Sequence, residues 1–79
     1  MKLTIGNVYR VTRDMFAPVY ATVGDIHEGD YETIYTDDKL ICVNTDEMDG
    51  KAGAMFNTST GILIDLCMDS IDDSLEEIT

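Results

Sequence analysis

The chain has 79 residues, enough for one small domain, and 44% of them are hydrophobic, too many for a disordered acidic tail. Sixteen acidic residues oppose five basic ones, for a formal net charge of −11. That field repels phosphate backbones and anionic lipid, so neither nucleic acid nor a membrane surface is an expected direct ligand, and it attracts basic protein surfaces.

The imbalance is uneven along the chain. Residues 1–13 hold Lys2, Arg10 and Arg13 and no acid, a local charge of +3, whereas residues 14–79 hold every acid against Lys39 and Lys51, a charge of −14. The small basic spot is expected to pair with the protein's own acids. The opening MKLTIGNVYR has no apolar run, so neither a secretory signal nor a membrane span is expected, and the expected compartment is the cytoplasm. Cys42 and Cys67 lack the spacing of a metal knuckle or a redox pair and are expected to be reduced, packed thiols.

Short strands punctuated by polar turns make up most of the chain. The run from Val8 to Arg13 alternates, with Tyr9 and Val11 on one face and Arg10 and Thr12 on the other. Pro18 introduces a second run, Val19 to Val23, closed by Gly24-Asp25. Tyr31 to Thr36, a turn at Asp37-Asp38, and Lys39 to Asn44 form the best hairpin candidate. Residues 45–53 read as a polar loop, followed by a short strand at Ala54-Met55-Phe56 and a turn over Asn57 to Gly61. Ile62 to Met68 is the most apolar segment and predicts a central strand.

The last segment changes period. Ser70 can cap a helix, Asp72 and Asp73 suit its first turn, and Ile71, Leu75 and Ile78 form an apolar stripe. A short amphipathic helix is expected over 70–79. Asp72 with Glu76 and Asp73 with Glu77 would be like-charge neighbours in it, which makes it marginal on its own.

These elements predict a mainly β fold: a small antiparallel sheet, or an SH3-like partly closed barrel, of five to six short strands with a short C-terminal helix. A single domain over 1–79 is expected, with its core in 1–69 and an acidic amphipathic segment at 70–79. The barrel form rests on a resemblance. Ile5-Gly6-Asn7-Val8-Tyr9-Arg10-Val11 resembles the first strand of an SH3-like barrel, where a glycine-polar step precedes an alternating strand. The resemblance spans roughly the first half of the chain and implies a binding module. Tryptophan is absent, so the aromatic groove that holds proline-rich peptides in eukaryotic SH3 domains has no counterpart in the sequence.

Nothing in the residue spacing calls for catalysis. His27, the one histidine, lies in a polar stretch, and no pattern joins it to Cys42 or Cys67. Among so many carboxylates, adjacent acids such as Asp37 and Asp38 are inevitable and read as turn formers. A calcium loop with Gly50 at its sixth position would place Thr45, Glu47 and Asp49 as ligands, but Phe56 then falls where glutamate is needed. Gly50-Lys51 lacks the other residues of a phosphate loop. No enzyme activity, cofactor or metal is expected.

The acids are the candidate functional residues. Alternate strand residues lie about 6.6 Å apart, comparable with neighbouring phosphates on a nucleic-acid strand. Asp30 and Glu32, or Asp46 and Glu47, can imitate part of such a row, and Asp37, Asp38 and Asp49 in the nearby turns and loop join the candidate set. Residues 65–79 hold six acids and no base, and Asp69, Asp72, Asp73, Glu76 and Glu77 complete the candidate partner-binding set. In size and acidity the chain resembles small accessory proteins that phages direct against host nucleic-acid machinery, DNA mimics among them. The resemblance implies an inhibitor in the host cytoplasm occupying the basic surface of a nuclease, a defence complex, a polymerase or a nucleoid protein. The alternative is a structural or assembly module that binds through a face built from Tyr9, Tyr20, Tyr31 and Tyr35, its acidity serving only solubility.

Overall fold

A computed structural model describes residues 3–21, 29–48 and 51–78, with 46–48 and 51–52 placed through their backbone alone. Among the described residues, seven strands and one helix follow in chain order: β1 (Val8–Val11), β2 (Met15–Tyr20), β3 (Tyr31–Ile34), β4 (Lys39–Met48), β5 (Lys51–Thr58), β6 (Leu63–Cys67), α1 (Met68–Ser74) and β7 (Leu75–Glu77). They form one antiparallel sheet in the order β3-β2-β6-β5-β4-β1-β7, curled into a half-barrel. The mainly β, partly closed architecture expected from the sequence is the one found, with seven strands in place of five or six.

The curl comes from a bent pair of strands. β1 faces β4 through Val8↔Ile41, Tyr9↔Leu40 and Arg10↔Lys39, and β2 faces β3 in the same register, from Met15↔Ile34 to Pro18↔Tyr31. Between them Val11 N–H donates to the Asp38 carbonyl and Asp37 N–H to the Val11 carbonyl, both at 2.8 Å. Residues 8–18 and 31–41 are therefore one long antiparallel pair, folded sharply at 12–14 and 35–38. The bend carries β2 round to β6, where Val19 pairs with Ile64 and Tyr20 with Leu63.

Two of the expected elements change for this reason. The hairpin between Tyr31–Thr36 and Lys39–Asn44 does not form; β3 pairs with β2 and β4 with β1 and β5. At the bend Asp38 N–H donates to the Tyr35 carbonyl at 3.0 Å, and Asp37 has a φ of 75°. That is a type II turn, whose twist splays flanking strands instead of returning them as a hairpin. The second strand begins at Met15, not Val19, with Pro18 inside it; its expected end at Val23 and Gly24-Asp25 lies outside the described residues. Val19 N–H donates to the Asp30 carbonyl beside β3, at 2.9 Å, so the preceding residue's N–H would face β6. Proline has none to offer. The β2–β6 ladder accordingly reaches no further back than Val19.

Within the expected polar loop over 45–53, the described residues 45–48 and 51–53 are instead two strand arms. Thr45 pairs with Ala54, Asp46 with Gly53, Glu47 with Ala52 and Met48 with Lys51. Beyond the core only backbone pairing is needed, so polar composition does not forbid a strand. A bulge between Cys42 and Asn44 shifts the register and bends β4. At Gly53 the neighbouring strand is close: a Cβ there would sit 3.0 Å from the Leu66 carbonyl oxygen, so any larger residue would have to push that backbone back by a few tenths of an ångström. β5 and β6 are joined through residues 59–62, closed by Thr58 N–H to the Ile62 carbonyl at 2.9 Å, with Gly61 in the left-handed region at φ 84°.

The C-terminal segment departs most from expectation. The helix covers Met68–Ser74 rather than 70–79, and its N-cap is Cys67, which makes no side-chain capping bond, rather than Ser70. Leu75–Glu77 leaves the helix to pair with β1 as Tyr9↔Glu77, Arg10↔Glu76 and Val11↔Leu75. Thr12 N–H takes the Ser74 carbonyl at 2.7 Å, and Ile78 N–H takes that of Val8 at 3.1 Å. The free edge of β1 offers backbone partners, and the strand removes the like-charge contacts a longer helix would impose.

Inside the curl, Tyr9, Val11, Leu40, Phe56, Ile64 and Ile71 are among the fully buried side chains. The Tyr9 and Phe56 rings meet edge to face, centroids 5.9 Å apart at 84°. Thr4 N–H donates to the Tyr9 hydroxyl at 2.9 Å, so that polar tip is satisfied. Ile71 and Leu75 belong to the same core cluster, which therefore reaches into the C-terminal segment.

Candidate functional site

Strand alternation decides which charges face outward. Tyr9 and Val11 fill the core, so Arg10 stands on the outer face of β1. Glu76 is its cross-strand partner on β7, with Nη2–Oε2 at 2.6 Å, and Asp37 reaches it from the bend, with Nη1–Oδ1 at 2.7 Å. Hydrogen bonds to Glu76 first and Asp37 second push the already high pKa of Arg10 further up. The basic spot pairs with the protein's own acids at this residue, as its composition led one to expect. Arg13 is exposed, and Lys2 lies outside the described residues.

The candidate acids fall into three groups. Asp37 and Asp38 build the bend, Asp37 through Arg10 and Asp38 by accepting Tyr35 N–H at 3.0 Å. Asp69, Asp72 and Asp73 are exposed on α1, whose inner side carries Ile71 and Ser74, and Glu76 and Glu77 continue along β7. Asp30, exposed, and Glu32, half-buried, lie at the β3 end of the sheet order, the opposite end from β7. Asp46 and Glu47 are placed in β4 by backbone pairing only, and Asp49 lies outside the described residues. Among the described residues, the candidate acids do not form a single row.

Asp14 does a separate task. Its Oδ1 accepts both the backbone N–H of Thr36, at 2.8 Å, and the Thr36 hydroxyl, at 3.0 Å, tying the two sides of the bend together. These two bonds, the backbone one foremost, hold its carboxyl below the usual range.

The thiols differ from each other. Cys42 is buried in β4 as expected, and burial pushes its thiol pKa up. Cys67 is exposed rather than packed, because Ile64 and Leu66 take the inward positions of β6. The Ser70 hydroxyl, 3.3 Å from the Cys67 sulfur, pulls its pKa down. His27 lies outside the described residues. The stretch that would be a calcium loop, from Thr45 to Phe56, contributes most of its length to the arms β4 and β5.

The sequence reading missed a second surface. With β2 starting at Met15, Ala17 points inward and Phe16, Pro18 and Tyr20 share the outer face. Tyr31 stands opposite Pro18 on β3, and Leu63 opposite Tyr20 on β6, with Asp65 two residues along. Phe16 is 74% exposed and Tyr31 64%, whereas Tyr9 is wholly buried. The four tyrosines thus do not make one face. The alternation Phe16, Pro18, Tyr20 is visible in the sequence, but only to a reading that allows proline inside the strand.

Comparison with known proteins finds no matching family model, no matching curated protein and no matching solved structure.

Proposed function

We propose that this protein is a non-enzymatic binding module whose acidic surface occupies the basic surface of a protein partner. The partner class that fits is a protein that itself handles nucleic acid, with the chain as an inhibitor or nucleic-acid mimic. The observation that supports this most is the placement of Arg10. Its charge is engaged by Asp37 and Glu76, while α1 and β7 present Asp69, Asp72, Asp73 and Glu77 as exposed side chains, on a stretch that contains no base. Such a surface favours cationic partners and speeds their association.

Affinity capture from a bacterial lysate at low salt, repeated at high salt, tests the reading beside a gel-shift assay with duplex DNA. A basic protein held at low salt and released at high salt is the expected result. Binding to the DNA, or capture of acidic partners alone, would overturn it. A second reading, an assembly module with an apolar grip, is favoured by the exposure of Phe16 and Tyr31. Its complex would keep its affinity in high salt.

A further inference from the structure

One end of the sheet is β7, which pairs with β1 on one side and is last in the strand order. Thr12 N–H donates to the Ser74 carbonyl and Ile78 N–H to the Val8 carbonyl, so residues 74, 76 and 78 turn their backbone groups toward β1. Leu75 and Glu77, between them, turn theirs toward the edge. Leu75 N–H already donates to the Ile71 carbonyl at the end of α1. The Leu75 carbonyl and both backbone groups of Glu77 are what β7 offers there. We infer that this edge takes up an extended segment of the basic partner as an added strand antiparallel to β7, with an arginine or lysine opposite Glu77 and an apolar residue opposite Ile78. The inference rests on the proposal that the partner is basic, and adds where and by which bonds that partner is held.

Charge complementarity selects the occupant. Glu76 is held by Arg10 on the outer face, whereas Glu77 is exposed on the same short strand. No lysine or arginine follows Lys51 in the chain, and the net charge of −11 draws a cationic segment in. Short, charged edge strands deter indiscriminate pairing. Here the deterrent is selective, because a basic strand is attracted where an acidic one is turned away. A second copy of this chain would set glutamate near glutamate across the new strand pair, and like charges placed opposite each other are destabilising.

The outer face supplies a second contact. Val8 faces Ile41 on β4 and accepts the Ile78 N–H on its other side, so Ile41, Val8 and Ile78 form one row across three strands. Ile41 and Ile78 are both exposed large hydrophobics. An added strand would place one side chain at the end of this row, opposite Ile78, where an apolar group packs against it. The next residue of that segment falls opposite Glu77 and exchanges both backbone hydrogen bonds with it. The N–H two residues further on reaches the Leu75 carbonyl. The segment recognised therefore begins with an apolar residue followed by a basic one. Backbone bonds give such an added strand its affinity, and its alternate side chains give the specificity.

The test uses the full chain, labelled with nitrogen-15, and peptides of about eight residues that alternate valine with arginine, long enough for a strand. One is unmodified, one is N-methylated at its arginines, one is N-methylated at its valines, and a fourth carries glutamate for arginine. The unmodified peptide is expected to bind at low salt, to shift the amides of Glu76, Glu77 and Ile78, and to slow exchange of the Glu77 amide. N-methylation of the arginines should abolish binding, because those N–H groups face β7, and N-methylation of the valines should leave most of it. The glutamate peptide should not bind. Glu77→Gln should weaken binding roughly two- to five-fold. Glu77→Pro should weaken it further, since proline removes the edge N–H but none that β1 uses. Unchanged exchange at Thr12 and Ile78 would show β7 still in place in that variant; should the proline detach β7, the two N-methylated peptides decide alone. Shifts confined to α1 or β2, equal binding by the two N-methylated peptides, or an intact Glu77→Pro variant no weaker than Glu77→Gln would overturn this site. If Glu77→Pro holds the same basic protein from a lysate as firmly as the parent does, the site falls and the proposed function stands. If neither the arginine peptide nor any basic protein binds, the proposed function itself falls.

Discussion

Arg10 and Glu76 stand opposite each other on β1 and β7, and their side chains meet at 2.6 Å across the last strand pair of the sheet. One acid of the C-terminal segment is thereby part of the scaffold, because it holds the edge strand that follows α1. The backbone bonds of Thr12 to Ser74 and of Ile78 to Val8 flank this pair. Arg10→Ala or Glu76→Gln is expected to speed amide exchange at Thr12 and Ile78 while leaving the β4–β5 amides unchanged. High salt should have the same effect in the parent protein, since the pair is at the surface. Equal exchange in parent and variants would show that backbone pairing alone holds β7.

Asp14 links acidity to the bend. Its pKa is depressed in the folded state, so its contribution to stability is fully present above the ordinary carboxylate range. That contribution is lost as pH falls through the depressed value. Asp14→Asn keeps an acceptor for both Thr36 bonds but no titrating charge, whereas Asp14→Ala loses the bonds. Thermal melts between about pH 5 and pH 2 should show a smaller acid-induced drop for Asp14→Asn than for the parent. An identical drop would mean that Asp14 contributes nothing to acid sensitivity.

The two thiols should react in separate phases. Cys67 is exposed and its pKa is lowered by Ser70, whereas Cys42 is buried and its pKa is raised. A disulfide reagent at neutral pH is expected to modify Cys67 quickly and Cys42 only as the protein unfolds. Ser70→Ala should slow the fast phase, because less of the Cys67 thiol is then ionised. Cys67→Ser should abolish it. A single phase accounting for both sulfurs would contradict the placement of β6.

Ile71 and Ile78 share one stripe in the sequence but not in the fold. Ile71 is fully buried against the sheet, and Ile78 is 40% exposed beyond β7. Ile71→Ala should cost about 2–5 kcal/mol, a large part of what so small a domain has. Ile78→Ala should change stability by under about 0.5 kcal/mol. Urea titrations of both variants check the contrast, and similar losses would mean that the helix continues to the end of the chain.

The sequence by itself determined the fold class, the shared face of Tyr9 and Val11 on the first strand, and the net charge of −11. Period-two patterning and turn residues are local, and a half-buried strand writes its inner face into every second position. Tertiary structure decided the rest, because strand partners are chosen by contacts distant in sequence. Whether Asp37-Asp38 returns a hairpin or bends a strand depends on the twist of one turn and on Asp14, far upstream, binding Thr36. Whether Leu75–Glu77 is helix or strand depends on the open edge of β1 at the other end of the chain. The aromatic face of Phe16, Tyr20 and Tyr31 exists only because the bent pair of strands brings β2 between β3 and β6. Periodicity names the residues that can face one way, and the fold then decides which of those faces stay open to a partner.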